Sequence, residues 1–159
     1  MKTFVRIILS LAVFALFIGI ARADDVSTTP VGYWKTIDDR THQARSIVRI
    51  VEVNGELRGT IVKLLAPPKD DPDPICKKCT GNKKNKRVRG LEFLWGFKRE
   101  ARGWSDGYVL DPEEGQTYHG GIQVIDGGKR LKLFGYVRVI IKIGRSQVWE
   151  RVLPGEYGT

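Results

Sequence analysis

Two cysteines separated by two residues, Cys76 and Cys79, are the most reactive side chains in this 159-residue sequence. Such a pair can act as a redox couple, supply half of a zinc site or form a local disulfide. A redox pair needs its first cysteine at a helix N-terminus, and structural zinc needs four Cys or His ligands. The Pro-rich flank favours no helix, and His42 and His119 are distant in sequence. A disulfide that holds a long loop is the favoured interpretation, and we expect neither a metal nor a cofactor.

Positive charge is concentrated between positions 77 and 89. These thirteen positions hold seven basic residues and no acidic one: Lys77, Lys78, Lys83, Lys84, Lys86, Arg87 and Arg89. Such a segment can attract nucleic acid, anionic lipid head groups, lipopolysaccharide phosphates or an acidic partner. Near an anionic surface each basic residue contributes ~1 kcal/mol. The segment can equally be a solvated loop that keeps the protein soluble.

The first 23 residues have the pattern of a signal peptide. Lys2 and Arg6 precede an apolar stretch at 7–20, and small residues occupy the −3 and −1 positions of a cleavage site after Ala23. The apolar stretch is shorter than the about 20 residues of a transmembrane helix. We therefore expect a single periplasmic or secreted domain over residues 24–159, without a transmembrane span. Removal of the signal peptide would reduce the net charge from +9 to +6, and export argues against nucleic acid as a partner.

Short alternating segments separated by turn residues predict an all-β domain. The predicted strands are 33–38, 45–53, 57–65, 91–98, 104–110, 116–125, 130–139 and 141–152. Asn54-Gly55 is a strong hairpin signal, because a type I′ turn needs positive φ at both central residues. The hairpins favour an antiparallel up-and-down β-barrel of about eight strands, which leaves no exposed edge. Residues 66–90 contain four prolines and the basic segment, and they predict one long loop.

A tryptophan in the first predicted strand and an arginine in the last, Trp34 and Arg151, are suited to closing such a barrel. Side chains alternate along a strand, so Gln147, Trp149 and Arg151 share one face. A guanidinium that lies over an indole gains roughly 0.5–2 kcal/mol from the cation–π contact. We therefore expect the first and last strands to lie side by side.

Aromatic and polar side chains on different strands are candidates for a ligand pocket. An eight-stranded barrel has an interior wide enough for one small ligand or for side chains alone. The candidates to line a cavity are Trp104, Tyr118, Tyr136, Arg145, Gln147 and Trp149. The alternative is that the aromatic side chains simply fill the barrel.

Asp111, Glu113 and Glu114 are the best candidates for acid–base catalysis. They lie in an Asp-Pro-Glu-Glu-Gly segment, which is ordinary turn chemistry. Neither a Ser-His-Asp set nor a phosphate-binding loop accompanies them. We therefore do not expect an enzyme.

Several motifs, in a fixed order, cover nearly all of the expected mature domain. They are 32–36 (Gly-Tyr-Trp-Lys-Thr), 50–59, 76–81, Trp104, Gly107, 111–115, Tyr118, 133–136 (Leu-Phe-Gly-Tyr) and 144–151. In this set the chain resembles the secreted bacterial proteins grouped as domain of unknown function 2147. The resemblance implies a lipocalin-like barrel in the periplasm or outside the cell, and it implies no reaction.

The chain departs from that family at Phe134, where the family usually carries an arginine before its Gly-Tyr pair. No role of that arginine is carried over to this chain. The early Gly-x-Trp and the late arginine also look like the structural signature of the wider calycin group, whose first meaning is architectural.

The leading functional expectation is an exported β-barrel that binds a small apolar or amphipathic molecule, or an envelope component. The alternative is an envelope or stress interaction protein with a filled barrel. In that case the basic loop would bind an anionic surface or an acidic partner.

Overall fold

Eight strands form the fold in the computed structural model, which describes residues 28–137, 143–153 and 156. They are β1 (Gly32–Ile37), β2 (Ala44–Val53), β3 (Glu56–Leu64), β4 (Glu92–Glu100), β5 (Gly103–Asp111), β6 (Gln116–Ile125), β7 (Arg130–Val137) and β8 (Ile143–Val152). The expected signal peptide and residues 138–142, which include the predicted ends of the strands at 130–139 and 141–152, lie outside the described residues. Within the described ranges, no helix is long and apolar enough to cross a membrane.

The eight strands form a closed antiparallel barrel in which each strand pairs with the next and β8 pairs with β1. The register places Trp34 opposite Arg151 and Lys35 opposite Glu150. The predicted all-β class, the up-and-down topology and the closure between the first and last strands are confirmed.

Local turn chemistry explains where the strands begin and end. Asn54 and Gly55 have φ of 52° and 78°, as a type I′ turn between β2 and β3 requires. The long connection at 65–91 separates β3 from β4, as expected for a Pro-rich segment. Its isolated bridge between Ile75 and Arg87 makes it an ordered loop and not a free tether.

Large aromatic side chains occupy the middle of the barrel. The ring of Phe97 lies against two glycines, since a Cβ at Gly107 would fall 2.2 Å from it and one at Gly120 would fall 3.2 Å from it. The rings of Phe93 and Trp149 have centroids 6.2 Å apart. Because β4 and β8 lie on opposite sides of the barrel, this contact crosses the interior. At this level side chains fill the barrel, so any bound molecule must lie nearer an end.

The barrel has two different ends. One end, here called the sealed end, holds the segment before β1, the β2–β3 hairpin and the β6–β7 turn. The other, the loop end, holds the connections at 38–43, 65–91 and 112–115. Each candidate residue can be located relative to these two ends.

Candidate functional site

Trp34 and Arg151 meet at the sealed end. The indole is fully buried, and its Nε1–H donates to the carbonyl of Pro30 at 2.8 Å. The guanidinium of Arg151 lies over the indole, 4.1 Å from the ring centroid. This is the cation–π contact expected from the sequence.

The same guanidinium ties β8 to two other segments, the β6–β7 turn and the segment before β1. It donates to the carbonyl of Gly128 at 2.6 Å, to that of Thr29 at 2.6 Å and to that of Val31 at 3.2 Å. Burial lowers the pKa of Arg151 from its usual value, but an arginine stays charged at neutral pH. Arg151 is therefore an architectural residue that holds this end of the barrel together.

The predicted pocket residues separate into three places. Trp104 and Trp149 are buried in the core. Three others lie on the inner face nearer the loop end. Alternation along β8 from the buried Trp149 places Gln147 and Arg145 there, and the pairing of Tyr118 with Val109 places Tyr118 beside them. The sixth, Tyr136, lies elsewhere.

The inner wall beside these polar residues carries little side-chain volume. Gly120 pairs with Gly135 across β6 and β7, and Gly135 pairs with Arg145 on β8. A Cβ at Gly135 would meet the Cβ of Tyr118 at an ordinary 3.6 Å, so the position would accept one more carbon atom without a clash, whereas Gly120 is covered by the side chain of Val109 and the ring of Phe97. The wall therefore has no side chain of its own at Gly135, between Tyr118 and Arg145.

The polar candidates near the loop end carry hydrogen-bonding groups, two of which have partners within the protein. The Gln147 amide oxygen accepts from Trp149 Nε1 at 3.2 Å, and the Tyr118 hydroxyl donates to Gln116 Oε1 at 3.3 Å. Arg145 is exposed and also borders an outer groove of about 330 Å³ beside Phe134. A cation, an amide and a phenol thus lie around one part of the wall.

Tyr136 lies on the outer face of the barrel, so its expected place in an interior pocket is wrong. It belongs to a row of rings across four strands: Trp95–Tyr108 at 5.6 Å, Tyr108–His119 at 5.1 Å and His119–Tyr136 at 5.8 Å between centroids. We call these four residues the outer aromatic ladder. Alternation with the buried Leu131 and Leu133 could have placed Tyr136 outside, but the ladder itself needed the register of the strands.

Cys76 and Cys79 form a disulfide and are buried, which confirms the favoured interpretation of this pair. The surrounding backbone is ordered by two hydrogen bonds, from Cys76 N–H to the carbonyl of Lys86 at 2.8 Å and from Asn85 N–H to that of Cys76 at 3.0 Å. Among the described residues, no group of three His, Cys, Asp or Glu side chains is placed to hold a metal ion.

The disulfide segment packs on the β5–β6 turn. Gly115 has φ of 68°, and a Cβ there would lie 2.2 Å from the carbonyl oxygen of Lys78, so only glycine fits. The Lys78 ammonium lies 2.8 Å from Glu114, whose hydrogen bond and negative charge raise the pKa of that lysine. Asp111 Oδ1 accepts from the N–H of Glu113 at 2.8 Å. The acidic turn therefore helps to hold the disulfide segment in place.

An ion pair also spans the loop end. The guanidinium of Arg45 contacts Asp38 at 3.2 Å and Glu113 on its other side. Arg45 lies at the start of β2 and Glu113 follows β5, three strands further along the wall. The contact therefore links two strands that are not neighbours in the barrel.

Acidic residues outside the basic segment neutralise part of its charge. Arg87 and Arg89 both pair with Asp73, the latter at 3.7 Å. Lys83 is held differently, with its ammonium 3.9 Å above the ring of Trp95 and 2.5 Å from the carbonyl of Glu92. Burial lowers the pKa of Lys83.

The other basic side chains of the segment, Lys77, Lys84 and Lys86, are exposed. Beside them lies a groove of about 520 Å³, which is mostly basic and amide in character. Its lining residues are Asn82, Lys83, Asn85, Lys86, Arg87, Arg89, Gly90, Leu91 and Glu92. A rigid, polar and cationic depression of this kind suits an anionic group.

A family profile described as an uncharacterized protein conserved in bacteria (DUF2147) matches residues 32–151, from β1 to the closure arginine. The chain belongs to the DUF2147 family. No curated protein is similar enough in sequence to match this DUF2147 chain.

Among solved structures, this DUF2147 protein is similar to protein HP1028 from the human pathogen Helicobacter pylori, which is described as belonging to the lipocalin family. The TM-score is 0.69 at 18% identity, and the match covers 82% of this chain and 87% of the other. At that identity the likeness concerns the fold alone, and it confirms the lipocalin-like barrel.

In the turn after β1 of the DUF2147 barrel, the protonation of the Asp38 carboxyl should be measurable. Backbone N–H groups of Thr41 and Arg40, at 2.9 and 3.0 Å, lower the pKa of Asp38 from 3.8 to about 2. Because the folded pKa is below the unfolded one, Asp38 stabilises the fold above pH 3.8, and this contribution is lost as pH falls through about 2. An NMR titration of the Asp38 carboxyl, assigned with Asp38→Asn, should show the low midpoint. A midpoint at 3.8 or above would contradict this hydrogen-bond network.

Proposed function

We propose that this protein is an exported binding protein that holds one small acidic amphipathic molecule at the loop end of its barrel. The carrying observation is the inner wall at Gly135, which has no side chain and is bordered by Tyr118 and Arg145. The proposal is binding and not catalysis, and the lipocalin-like fold supports it because such barrels suit one small ligand.

The filled middle of the barrel limits the size of the ligand. The interior is occupied by Phe97, whose ring lies against Gly120, and by Phe93 and Trp149. A ligand would therefore place its apolar part against these rings and remain near the loop end. A long acyl chain has no room along the barrel axis.

The polar groups around the wall define the other half of the ligand. The Arg145 guanidinium would pair with a carboxylate or phosphate, because arginine presents planar paired donors to such groups. The Gln147 amide and the Tyr118 hydroxyl would supply neutral hydrogen bonds. Pockets of this composition, apolar with a few placed polar groups, are typical of small-molecule sites.

Export is part of the proposal. It is supported by the signal-peptide pattern of residues 1–23 and by the Cys76–Cys79 disulfide, since disulfides persist mainly in oxidising compartments. A periplasmic or secreted location would expose the protein to small envelope molecules.

Octanoate is a suitable probe, because it is small, amphipathic and negatively charged. We expect saturable one-to-one binding of octanoate by isothermal titration calorimetry. Arg145→Gln should weaken it about tenfold or more, since a hydrogen bond to a charged group contributes about 1.5–3 kcal/mol. Arg49→Gln, which removes the same charge from the outer face of β2, is the matched control and should bind as the native protein does.

Two results would contradict the site. One is the absence of saturable octanoate binding together with no small molecule in native mass spectra of protein purified from its own host. The other is equal affinity of the native protein and Arg145→Gln, which would place the ligand elsewhere.

A further inference from the structure

We propose that the outer aromatic ladder and the basic loop beside it form one surface that docks on a membrane rich in anionic phospholipid. This surface lies on the outer face of the barrel, whereas the site described above lies on the inner face; the two adjoin at Arg145, which borders the groove beside Phe134. It combines exposed cations with partly exposed rings, and the two sets of side chains are joined by a direct contact.

The contact between the cations and the rings is made by Lys83. Its ammonium lies 3.9 Å above the ring of Trp95, which is the first member of the ladder. Trp95 in turn stacks on Tyr108, whose side chain is 39% exposed. The same lysine is one of the residues that line the groove at 82–92. Cations and rings are therefore continuous across the outer face of β4 to β7.

The chemistry of the two halves selects a lipid surface. Lys84, Lys86 and the groove supply positive charge for lipid phosphates. Tryptophan and tyrosine prefer the boundary between water and hydrocarbon, because their rings are apolar with one polar end. A soluble acidic protein would be matched by the charge but would leave the rings without an apolar partner. The exposed ring of Phe134, on the same outer face, extends the apolar side.

The basic half of this surface is rigid before any partner arrives. The Cys76–Cys79 disulfide and the backbone hydrogen bonds among Cys76, Asn85 and Lys86 hold the loop. Preorganised charges need little further ordering on binding, which lowers the entropic cost of docking.

Tryptophan fluorescence can report on this surface specifically. Of the four tryptophans, Trp34, Trp104 and Trp149 are buried, and only Trp95 is partly exposed. We expect emission to shift to shorter wavelength when the protein meets vesicles of equimolar phosphatidylcholine and phosphatidylglycerol. The shift should be absent with phosphatidylcholine alone. It should also be lost at about 1 M salt, where the Debye length is about 3 Å.

Trp95→Phe separates the reporter from the binding itself. This variant keeps a ring at the position, so it should still sediment with anionic vesicles but show no shift. A full shift in Trp95→Phe would mean that another tryptophan moves, and the docking face would then be wrong.

Removal of positive charges tests whether the basic loop takes part in docking. Lys84→Gln with Lys86→Gln should lower partitioning into anionic vesicles by roughly 25-fold, at about fivefold per residue. The matched control is Lys35→Gln with Arg49→Gln, which removes two charges from the outer face of β1 and β2. Those strands lie half-way round the barrel from β5 and β6, so the control should change partitioning by less than about twofold.

Three outcomes would overturn the docking surface. They are no binding to anionic vesicles, equal weakening by the two double variants, and the same Trp95 shift with soluble polyglutamate, which would indicate an acidic protein partner. None of them depends on whether octanoate binds inside the barrel.

Discussion

Replacement of Trp34 by alanine should reduce the free energy of unfolding by ~3–5 kcal/mol, the usual cost of deleting a large buried aromatic side chain. The indole is fully buried, donates to the Pro30 carbonyl and carries Arg151 over its face. Its loss would leave a cavity at the sealed end and a guanidinium without its ring. Urea unfolding followed by far-UV circular dichroism measures the change.

Trp95→Ala is the matched control, because it is the same substitution at a partly exposed position on the outer face. It should cost less than half as much, since fewer contacts are lost. A loss below about 1 kcal/mol for Trp34→Ala, or equal losses at both positions, would contradict the role of Trp34 as the core of the closure.

Arg151→Ala should cost about 2–4 kcal/mol. The substitution removes hydrogen bonds from a charged group to three carbonyls and one cation–π contact, and the remaining carbonyls regain water only in part. Chemical unfolding at neutral pH measures the difference.

Arg151→Lys distinguishes geometry from charge. A lysine keeps the positive charge but cannot reach Gly128, Thr29 and Val31 together, because only the guanidinium presents its donors as a fork. We expect it to recover less than half of the lost stability. Full recovery would show that the charge over the indole, and not the three-way link, stabilises the closure.

The features that could be predicted are those encoded by neighbouring residues. Alternation and turn residues such as Asn54-Gly55 act over a few positions, so strand number, hairpins and the up-and-down order follow from the sequence. The pairing of Trp34 with Arg151 could be predicted as well, because a closed meander leaves its first and last strands no other partners.

The features that could not be predicted depend on register and irregularity. Gly96 has φ of 74° and lies in a part of β4 where the pairing with β3 shifts, so alternation through this strand cannot be counted from its sequence. The stacking of Trp95 on Tyr108 therefore emerges only in three dimensions.

Ion pairs between residues that are distant in the sequence could not be predicted either. Asp73 and Glu114 lie outside the run of basic residues, yet they neutralise Arg87, Arg89 and Lys78. The sequence therefore overstates the free charge of that loop. The candidate site was predicted in part: Tyr118, Arg145 and Gln147 share the inner face, whereas Trp104 and Trp149 belong to the core.

The adjacency of β1 and β8 has a consequence for how the chain can be rearranged. Arg151 donates a hydrogen bond to a carbonyl 120 positions earlier. The pairing of β1 with β8 therefore joins residues that are far apart in the sequence, and we expect it to form late in folding. A circular permutant that joins the two ends by a flexible linker and opens the β2–β3 hairpin at Asn54 would turn this distant seam into a local connection while leaving every ladder intact.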